Sequence, residues 1–248
     1  MSIIKDFTAG FSFAIRLILK RNLWKYFIPS ILIGSLFFLL FNGGLNLGRS
    51  LSFMEDWWGI GWIISKSKLF VSFLGFMILE FFILVALSPI NSYFAEQTKE
   101  EITDIPTDFS IIIFLKSLKR MVVILLFAFF MQCLISLFLW AFSFVLGDQF
   151  YELASLLNVS FFIGFSFFDF SLELDDVNRK ESWKFGKKNW LSCIVIGLLV
   201  NLGIYYPQKH DLIIVYFISI VFLPHILTII TSYLYYNSKK KSPQIETT

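Results

Sequence analysis

The clearest pattern in the chain is a series of long apolar runs separated by short polar stretches. A helix that spans a membrane needs about 20 apolar residues, within a range of about 17–25. Three runs satisfy that length comfortably, and three shorter ones either cross steeply or stop part-way. The pattern therefore predicts six membrane segments, at residues 26–41, 69–87, 121–146, 153–168, 190–206 and 212–236.

The first 25 residues follow a different pattern. Lys5, Arg16 and Lys20 recur with small polar residues at steps of three or four, and an apolar stripe opposes them. This spacing predicts an amphipathic helix within residues 1–25, with its basic edge at a membrane surface. At the other end, residues 239–248 form a polar tail.

Short turns join the third segment to the fourth and the fifth to the sixth, which predicts two membrane-inserted helical hairpins. Their tips, at residues 147–149 and 207–211, carry charged side chains. A charge at mid-bilayer costs about 2.5–3.5 kcal/mol on insertion scales. We therefore expect the tips to reach the far interface. The predicted fold class is an all-α integral membrane protein, with residues 1–238 as a single membrane domain.

Composition supports this prediction and excludes other classes. Of the 248 residues, 57% are apolar and 16% are charged, against about 45–50% and about 25% in soluble domains. A soluble fold of this size has no room to bury so much apolar surface. The net charge of +3 is too small for a nucleic-acid module. The large apolar fraction is explained if lipid, rather than water, surrounds the apolar side chains at the surface.

The distribution of charge predicts the orientation. Of the 21 Lys and Arg residues, 17 fall in the loops of one side and 4 in those of the other. Loops rich in Lys and Arg lie on the cytoplasmic side of a membrane. Both termini belong to the side with 17 basic residues, so both are expected in the cytoplasm. The predicted location is a bacterial inner membrane.

Cysteine and histidine are scarce. Cys133 and Cys193 lie in apolar runs, and His210 and His225 are the two histidines. This inventory offers no zinc spacing and no nucleophile–base pair. The sequence therefore predicts no enzyme activity, no metal site and no cofactor.

The stretch that follows the second segment resembles a known signature. Pro89, Asn91, Ala95, Glu96 and Gln97 match the Pro-x-Asn-x-x-x-Ala-Glu-Gln pattern of CysZ-type sulfate permeases, a family that includes the eukaryotic etoposide-induced membrane proteins. Further matches follow in the family's order and cover nearly the whole chain. They are Asp169 and Glu173 of an Asp-Tyr-x-x-Asp-like loop, Pro224 and Thr231 of the C-terminal segment, and Pro29 after the amphipathic start.

This resemblance implies a permease for a small oxyanion, most of all sulfate, that works as a homo-oligomer. It also implies two full spans and two hairpins. The family's anion-binding Gly-x-Arg-Arg element is replaced here by residues 22–25, where Lys25, with Arg21 nearby, keeps positive charge. A pore for such an anion must replace its hydration by N–H and O–H donors and positive charge. The residues that offer these groups, and are therefore assigned to the anion pathway, are Arg21, Lys25, Asn91 and Thr231. Pro29, Pro89, Glu96, Asp169, Glu173 and Pro224 are its structural motif residues.

Two ionisable residues inside apolar runs are candidates for coupling or gating. Glu80 lies mid-way along the second segment, and a carboxylate in hydrocarbon must pair, protonate or face the protein interior. It is either a coupling group or a hydrogen-bonded structural one. His225 follows Pro224 in the sixth segment, where a proline can turn backbone groups toward an ion. The alternative is a buried histidine beside a structural kink.

Other polar positions have both a functional and a structural interpretation. Asn91 and Pro89 form either a ligand vestibule or a structural corner, and Thr231 donates either to an oxyanion or to its own helix. Asp169 and Glu173 lie one turn apart, which suits a cation site or acid–base work, although a salt-bridged surface helix is the commoner outcome of such a pattern. Gly44 and Gly48 are interpreted as loop glycines.

Two functions follow from these features. The first is passive or proton-coupled permeation of an oxyanion through the bilayer. The alternative is a non-transporting membrane scaffold or assembly factor, whose charged cytoplasmic loops would dock an unidentified partner.

Overall fold

The computed structural model describes residues 3–36, 61–106, 111–204, 206–207, 210 and 212–241. Within these ranges the chain forms eight helices and no strand. The helices are α1 (Ile3–Lys20), α2 (Leu23–Leu36, which begins as a 3₁₀ turn), α3 (Gly61–Thr103), α4 (Ile111–Leu146), α5 (Asp148–Leu174), α6 (Arg179–Lys188), α7 (Trp190–Gly203) and α8 (Ile213–Lys241).

Three of the described helices are long and apolar enough to cross a membrane: Val122–Leu146, Asp148–Leu174 and Ile214–Lys240. At 1.5 Å per residue, each is about 37–41 Å long, against a hydrocarbon core of about 30 Å. α4 exposes Phe130, Phe138 and Phe142 along its length. Exposed apolar surface of this extent marks a region that contacts a membrane or another protein. Within the described residues the predicted all-α class is confirmed, and three helices have the length and apolar composition to cross a membrane. Six segments and their topology stay predictions.

Several helices extend beyond the predicted segments. α3 continues through Pro89 to Thr103, and α8 continues through Pro224. A proline removes one helical hydrogen bond, and packing against neighbouring helices compensates for that loss in membrane proteins. α5 likewise includes Asp169 and Glu173, which had been assigned to a loop.

α5 lies at the centre of the fold. It packs most extensively against α7 and α4, and also contacts α3 and α8. Gly147, with a φ of +87°, forms the single-residue turn between α4 and α5. α7 and α8 contact one another much less than α7 contacts α5 or α8 contacts α3. The fifth and sixth segments therefore do not pack mainly against each other as a hairpin would.

Two glycines allow α5 and α7 to approach closely. A Cβ atom on Gly164 would overlap the carbonyl oxygen of Cys193, and one on Gly197 would overlap that of Ser160. Small residues at four-residue spacing permit such backbone contact between membrane helices. The contact is reciprocal, because each glycine faces the small residue that precedes the other glycine by one turn.

The amphipathic first helix packs on the last one. Phe13, Ala14 and Leu17 are buried, and the Phe13 and Tyr233 rings lie 4.9 Å apart between centroids. Phe11 and Ile15 remain exposed beside the basic edge. α1 therefore has one apolar face on α8 and a second one free for the membrane interface.

Candidate functional site

A buried polar cluster lies where α2, α3 and α8 meet. Ser30 Oγ lies 2.6 Å from His225 Nε2, and His225 Nδ1 lies 2.6 Å from Asn91 Oδ1. All three side chains are fully buried. Two predicted site residues, Asn91 and His225, are thus brought together although 134 residues separate them in sequence. Ser30 was not predicted.

The hydrogen bonds define the protonation of the cluster. An amide oxygen can only accept, so His225 Nδ1 carries a proton and donates it to Asn91 Oδ1. In a neutral imidazole Nε2 then accepts from the Ser30 hydroxyl. The rings of Phe27 and Phe94 lie 5.3 and 5.1 Å from the imidazole centroid. This apolar surrounding favours the neutral form of His225.

Two donors in this region have no hydrogen-bond partner among the described residues. They are Asn91 Nδ2 and Ser88 Oγ, one turn apart on α3, and both side chains are at most 1% exposed. A buried polar group without a partner costs about 1–3 kcal/mol. The cluster therefore keeps an amide donor and a hydroxyl available for a ligand or an ordered water.

Prolines on two helices adjoin the cluster. Pro89 follows Ser88 on α3, and Pro224 precedes His225 on α8. Because proline has no N–H, the carbonyls of Val85 and Ile220 lose their helical donors. Both helices are therefore easiest to bend next to the buried side chains.

Thr231 takes the structural one of its two predicted roles. Its hydroxyl lies 3.0 Å from the Leu227 carbonyl oxygen and 3.1 Å from that of Phe167 on α5. One hydroxyl hydrogen is thus shared among backbone acceptors, and Thr231 joins α8 to α5. The chain brings this residue close to α5 rather than into the Asn91 cluster.

Arg21 and Lys25 lie at the end of α1 and in the following turn. Arg21 Nη1 lies 3.1 Å from Glu100 Oε2, and Arg21 Nη2 lies 3.1 Å from Glu101 Oε2. Burial alone would lower the pKa of Arg21, but the bonds to the two carboxylates outweigh it and raise the pKa. Lys25 is exposed. Among the described residues, the acids at this end of α3 therefore bond basic residues of α1.

The ion pairs at Glu101 are expected to contribute modestly to stability. Lys20 and Arg21 both bond this carboxylate, and these bonds hold its pKa below the usual value. Because Lys20 is largely exposed, we expect Glu101→Gln to cost about 1 kcal/mol at low salt. Thermal unfolding in detergent measures it, and 1 M salt should shrink the difference between variant and wild type. An undiminished difference at high salt would contradict this electrostatic account.

The remaining predicted residues are spread over the fold. Pro29 is exposed on α2, and Glu96 is half-buried on α3, where burial raises its pKa. Glu80 belongs to α3, but its side chain lies outside the described residues. Asp169 is fully buried and Glu173 is half-buried. A salt-bridged surface helix, the commoner interpretation of that pair, is therefore wrong at Asp169.

A second polar centre was missed by sequence reasoning. Asp175, just after α5, accepts from Lys239 Nζ at 2.8 Å, Lys99 Nζ at 3.0 Å and Tyr235 Oη at 3.0 Å. Burial alone would raise the pKa of Asp175, but the two lysines outweigh it and hold the pKa below its usual value. This carboxylate joins the ends of α3, α5 and α8.

No group of three metal-ligating side chains occurs within the described parts of the chain. Comparison with known proteins found no match, whether to a family model, to a curated protein or to a solved structure.

Proposed function

We propose that this chain is a membrane permease for a small oxyanion, with sulfate as the leading substrate. The observation that carries the proposal is the pair of unpartnered donors, Asn91 Nδ2 and Ser88 Oγ, in a buried cluster between three helices. A pore for a hydrated oxyanion must replace water by N–H and O–H donors. The motif resemblance points to the same substrate class.

The chemistry of the cluster suits an anion better than a cation. The Ser30 hydroxyl, the His225 imidazole and the Asn91 amide are neutral groups, and no carboxylate takes part in their hydrogen bonds. A cation site would instead offer several oxygen ligands with negative charge. Donors that carry no full charge can also release an anion readily, which conduction requires.

The cluster is closed to solvent, so permeation requires a conformational change. The three side chains of the cluster and the neighbouring Ser88 are at most 1% exposed. Pro89 and Pro224 lie next to Ser88 and His225 on two different helices. In the proposed cycle, bending at these prolines opens the cluster to one side of the membrane at a time.

The experiment is uptake of radiolabelled sulfate by proteoliposomes. Vesicles that contain the wild-type protein should take up sulfate faster than protein-free vesicles. Asn91→Asp keeps the size of the side chain but places a carboxylate beside the anion, and should lower the initial rate about tenfold or more, since like charges repel strongly in a buried site. Ser88→Ala, which removes one donor, should lower it several-fold. Ser35→Ala is the matched control, because that α2 hydroxyl bonds only its own helix at Ile31 among the described contacts.

Each outcome has a distinct meaning. Absence of sulfate flux in correctly folded wild type would remove the permease proposal and favour the scaffold. Flux that is equal in wild type, Asn91→Asp and Ser88→Ala would keep the function but remove this site. Lys25→Ala and Glu80→Gln, measured in parallel, test the predicted anion-pathway role of Lys25 and the predicted coupling role of Glu80.

A further inference from the structure

One face of α5 carries a row of polar side chains through the protein. At 100° per residue, its members fall within an arc of about 80°. From first to last they span 18 residues, or about 27 Å, which is close to the hydrocarbon thickness of about 30 Å. The members of this polar row are Ser155, Asn158, Ser166, Asp169 and Glu173.

Asp169 is the charged residue buried deepest in the row. It is 0% exposed. Its carboxylate interacts with the charge of Arg120 on α4 and with the Ser182 hydroxyl of α6, but no hydrogen bond of ideal geometry reaches it from the described residues. Arg120 donates weakly to Ser182, over 3.4 Å, and its own buried Nε has no partner in the described part of the chain.

A small cavity continues the row toward the middle of the span. It measures about 20 Å³ and is lined by Ser166, Gln132 of α4 and apolar side chains that include Phe162. A cavity needs about 10–15 Å³ and a few polar partners to hold one water. Gln132 Nε2 is buried and has no other partner within the described ranges, so a single water there would be well bound.

The α4–α5 interface remains polar beyond the cavity. Asn158 Nδ2 donates to the Gln132 carbonyl oxygen and to Ser136 Oγ, each over 3.2 Å. Ser155 Oγ, one turn further, is buried and interacts with the Tyr151 hydroxyl of the same helix. Polar side chains that only join helices would be satisfied by one another. Here the Gln132 amide nitrogen has no hydrogen-bond partner within the described residues, and the buried Asp169 carboxylate has no bonded cation to neutralise it there.

Polar and ionisable side chains on the other helices that pack against α5 interact with residues other than Asp169. Lys99 of α3 and Lys239 of α8 bond Asp175, Ser232 of α8 bonds Ser171, and Cys193 of α7 packs at Gly164. Arg120 is thus the charged group that acts on Asp169, with Glu173 one turn away on its own helix. Arg120 disfavours a metal cation in this row, and the two acids disfavour an anion.

We propose that the α4–α5 interface conducts protons, with Asp169 as the residue that takes up and releases them. A hydronium ion at the cytoplasmic end transfers a proton to a carboxylate oxygen of Asp169. The new O–H bond forms as one O–H bond of the hydronium breaks, and a water molecule is left. Asp169 then gives the proton to a water admitted to the cavity beside Ser166 and Gln132. An O–H bond of the resulting hydronium forms as the carboxyl O–H bond breaks, Asp169 returns to the carboxylate, and the hydronium leaves toward the far side.

This activity does not depend on the proposed anion permeation. If sulfate permeation also holds, the row supplies a coupling ion at a place distinct from Glu80. If sulfate flux is absent, proton conduction can still be measured, so the two proposals can fail separately.

The experiment measures proton entry into proteoliposomes that contain a trapped pH-sensitive dye, without sulfate. A potassium diffusion potential set by valinomycin, negative inside, drives the protons. We expect wild type to acidify the lumen faster than protein-free vesicles. Asp169→Asn should reduce the rate to the protein-free level, and Gln132→Leu, which removes the partner of the cavity water, should reduce it several-fold.

Glu152→Gln is the matched control, since it neutralises an exposed acid of the same helix and should retain the wild-type rate. Folding of each variant is checked by size-exclusion chromatography. Wild type that acidifies no faster than protein-free vesicles would overturn the proposal without any variant. Folded Asp169→Asn and Gln132→Leu that both keep the wild-type rate would overturn it as well.

Discussion

Replacing Gly164 or Gly197 with alanine is expected to prevent the protein from folding stably. At each position the new methyl group would meet a backbone carbonyl of the facing helix, that of Cys193 or that of Ser160. A backbone carbonyl cannot rotate away as a side chain can, so α5 and α7 must separate. Overpacking of this kind costs about 3 kcal/mol or more, and α5 is the helix that most others contact.

Gly10→Ala provides the matched control for these two substitutions. A Cβ there would lie 3.2 Å from Ile230 Cγ2, which belongs to a side chain that can shift. Alanine also favours a helix by about 1 kcal/mol over glycine, so this variant should be neutral or slightly stabilised. Thermal unfolding in detergent and the monodisperse fraction compare the three. Wild-type stability in Gly164→Ala and Gly197→Ala would contradict the close crossing.

The glycine crossing shows what a single sequence can signal and what it leaves open. Ser160 and Gly164, and Cys193 and Gly197, are each small residues four apart, so the signal was present in both helices. It did not identify the partner, because each pattern fits any close helix neighbour. The pattern that did draw attention, at Gly44 and Gly48, lies outside the described residues.

Helical class and chemically unusual positions were predictable from local pattern. Apolar runs and basic spacing predicted the helical class, and an ionisable side chain inside an apolar segment singled out His225. Asn91 was singled out by the motif that resembles a family signature. Their meeting was not predictable, because it depends on how α3 packs on α8. Ser30 is unremarkable by spacing, and it acquires a role only through contact with the imidazole.

Buried charge was misjudged for a related reason. In sequence, Asp169 and Glu173 stand in a region rich in acids and bases, which is typical of a solvated surface. In the fold, α5 is central and is covered as far as Leu172, so Asp169 is enclosed while its neighbours Asp176 and Arg179 are exposed. Whether a helix lies at the centre of a fold depends on how all the helices pack. The five residues from Asp169 to Glu173 contain no pattern that indicates it.

Asp175→Asn is expected to destabilise the ends of α3, α5 and α8 together. The carboxylate is mostly buried and holds Lys99 at 3.0 Å and Lys239 at 2.8 Å, with the Tyr235 hydroxyl at 3.0 Å. Asparagine keeps the size but loses the charge and leaves the ammonium of Lys99 poorly paired. Hydrogen bonds to charged groups contribute about 1.5–3 kcal/mol each. Because Lys239 is largely exposed, we expect a total loss of about 2–3 kcal/mol.

Asp176, the next residue, provides a matched control for this substitution, and the pKa of Asp175 provides a separate test by pH. Asp176 is exposed and has a φ of +51°, a conformation that asparagine adopts readily, so Asp176→Asn should be neutral. The pKa of Asp175 is lower in the folded protein than in the unfolded chain. Its contribution is therefore full above the unfolded value of about 4 and is lost as the pH falls through the folded value. Wild type should lose its advantage over Asp175→Asn in that acidic range, as thermal unfolding between pH 7 and pH 3 would measure. A difference between the two proteins that stays constant over this range would show that the ionised carboxylate is not what joins the three helices.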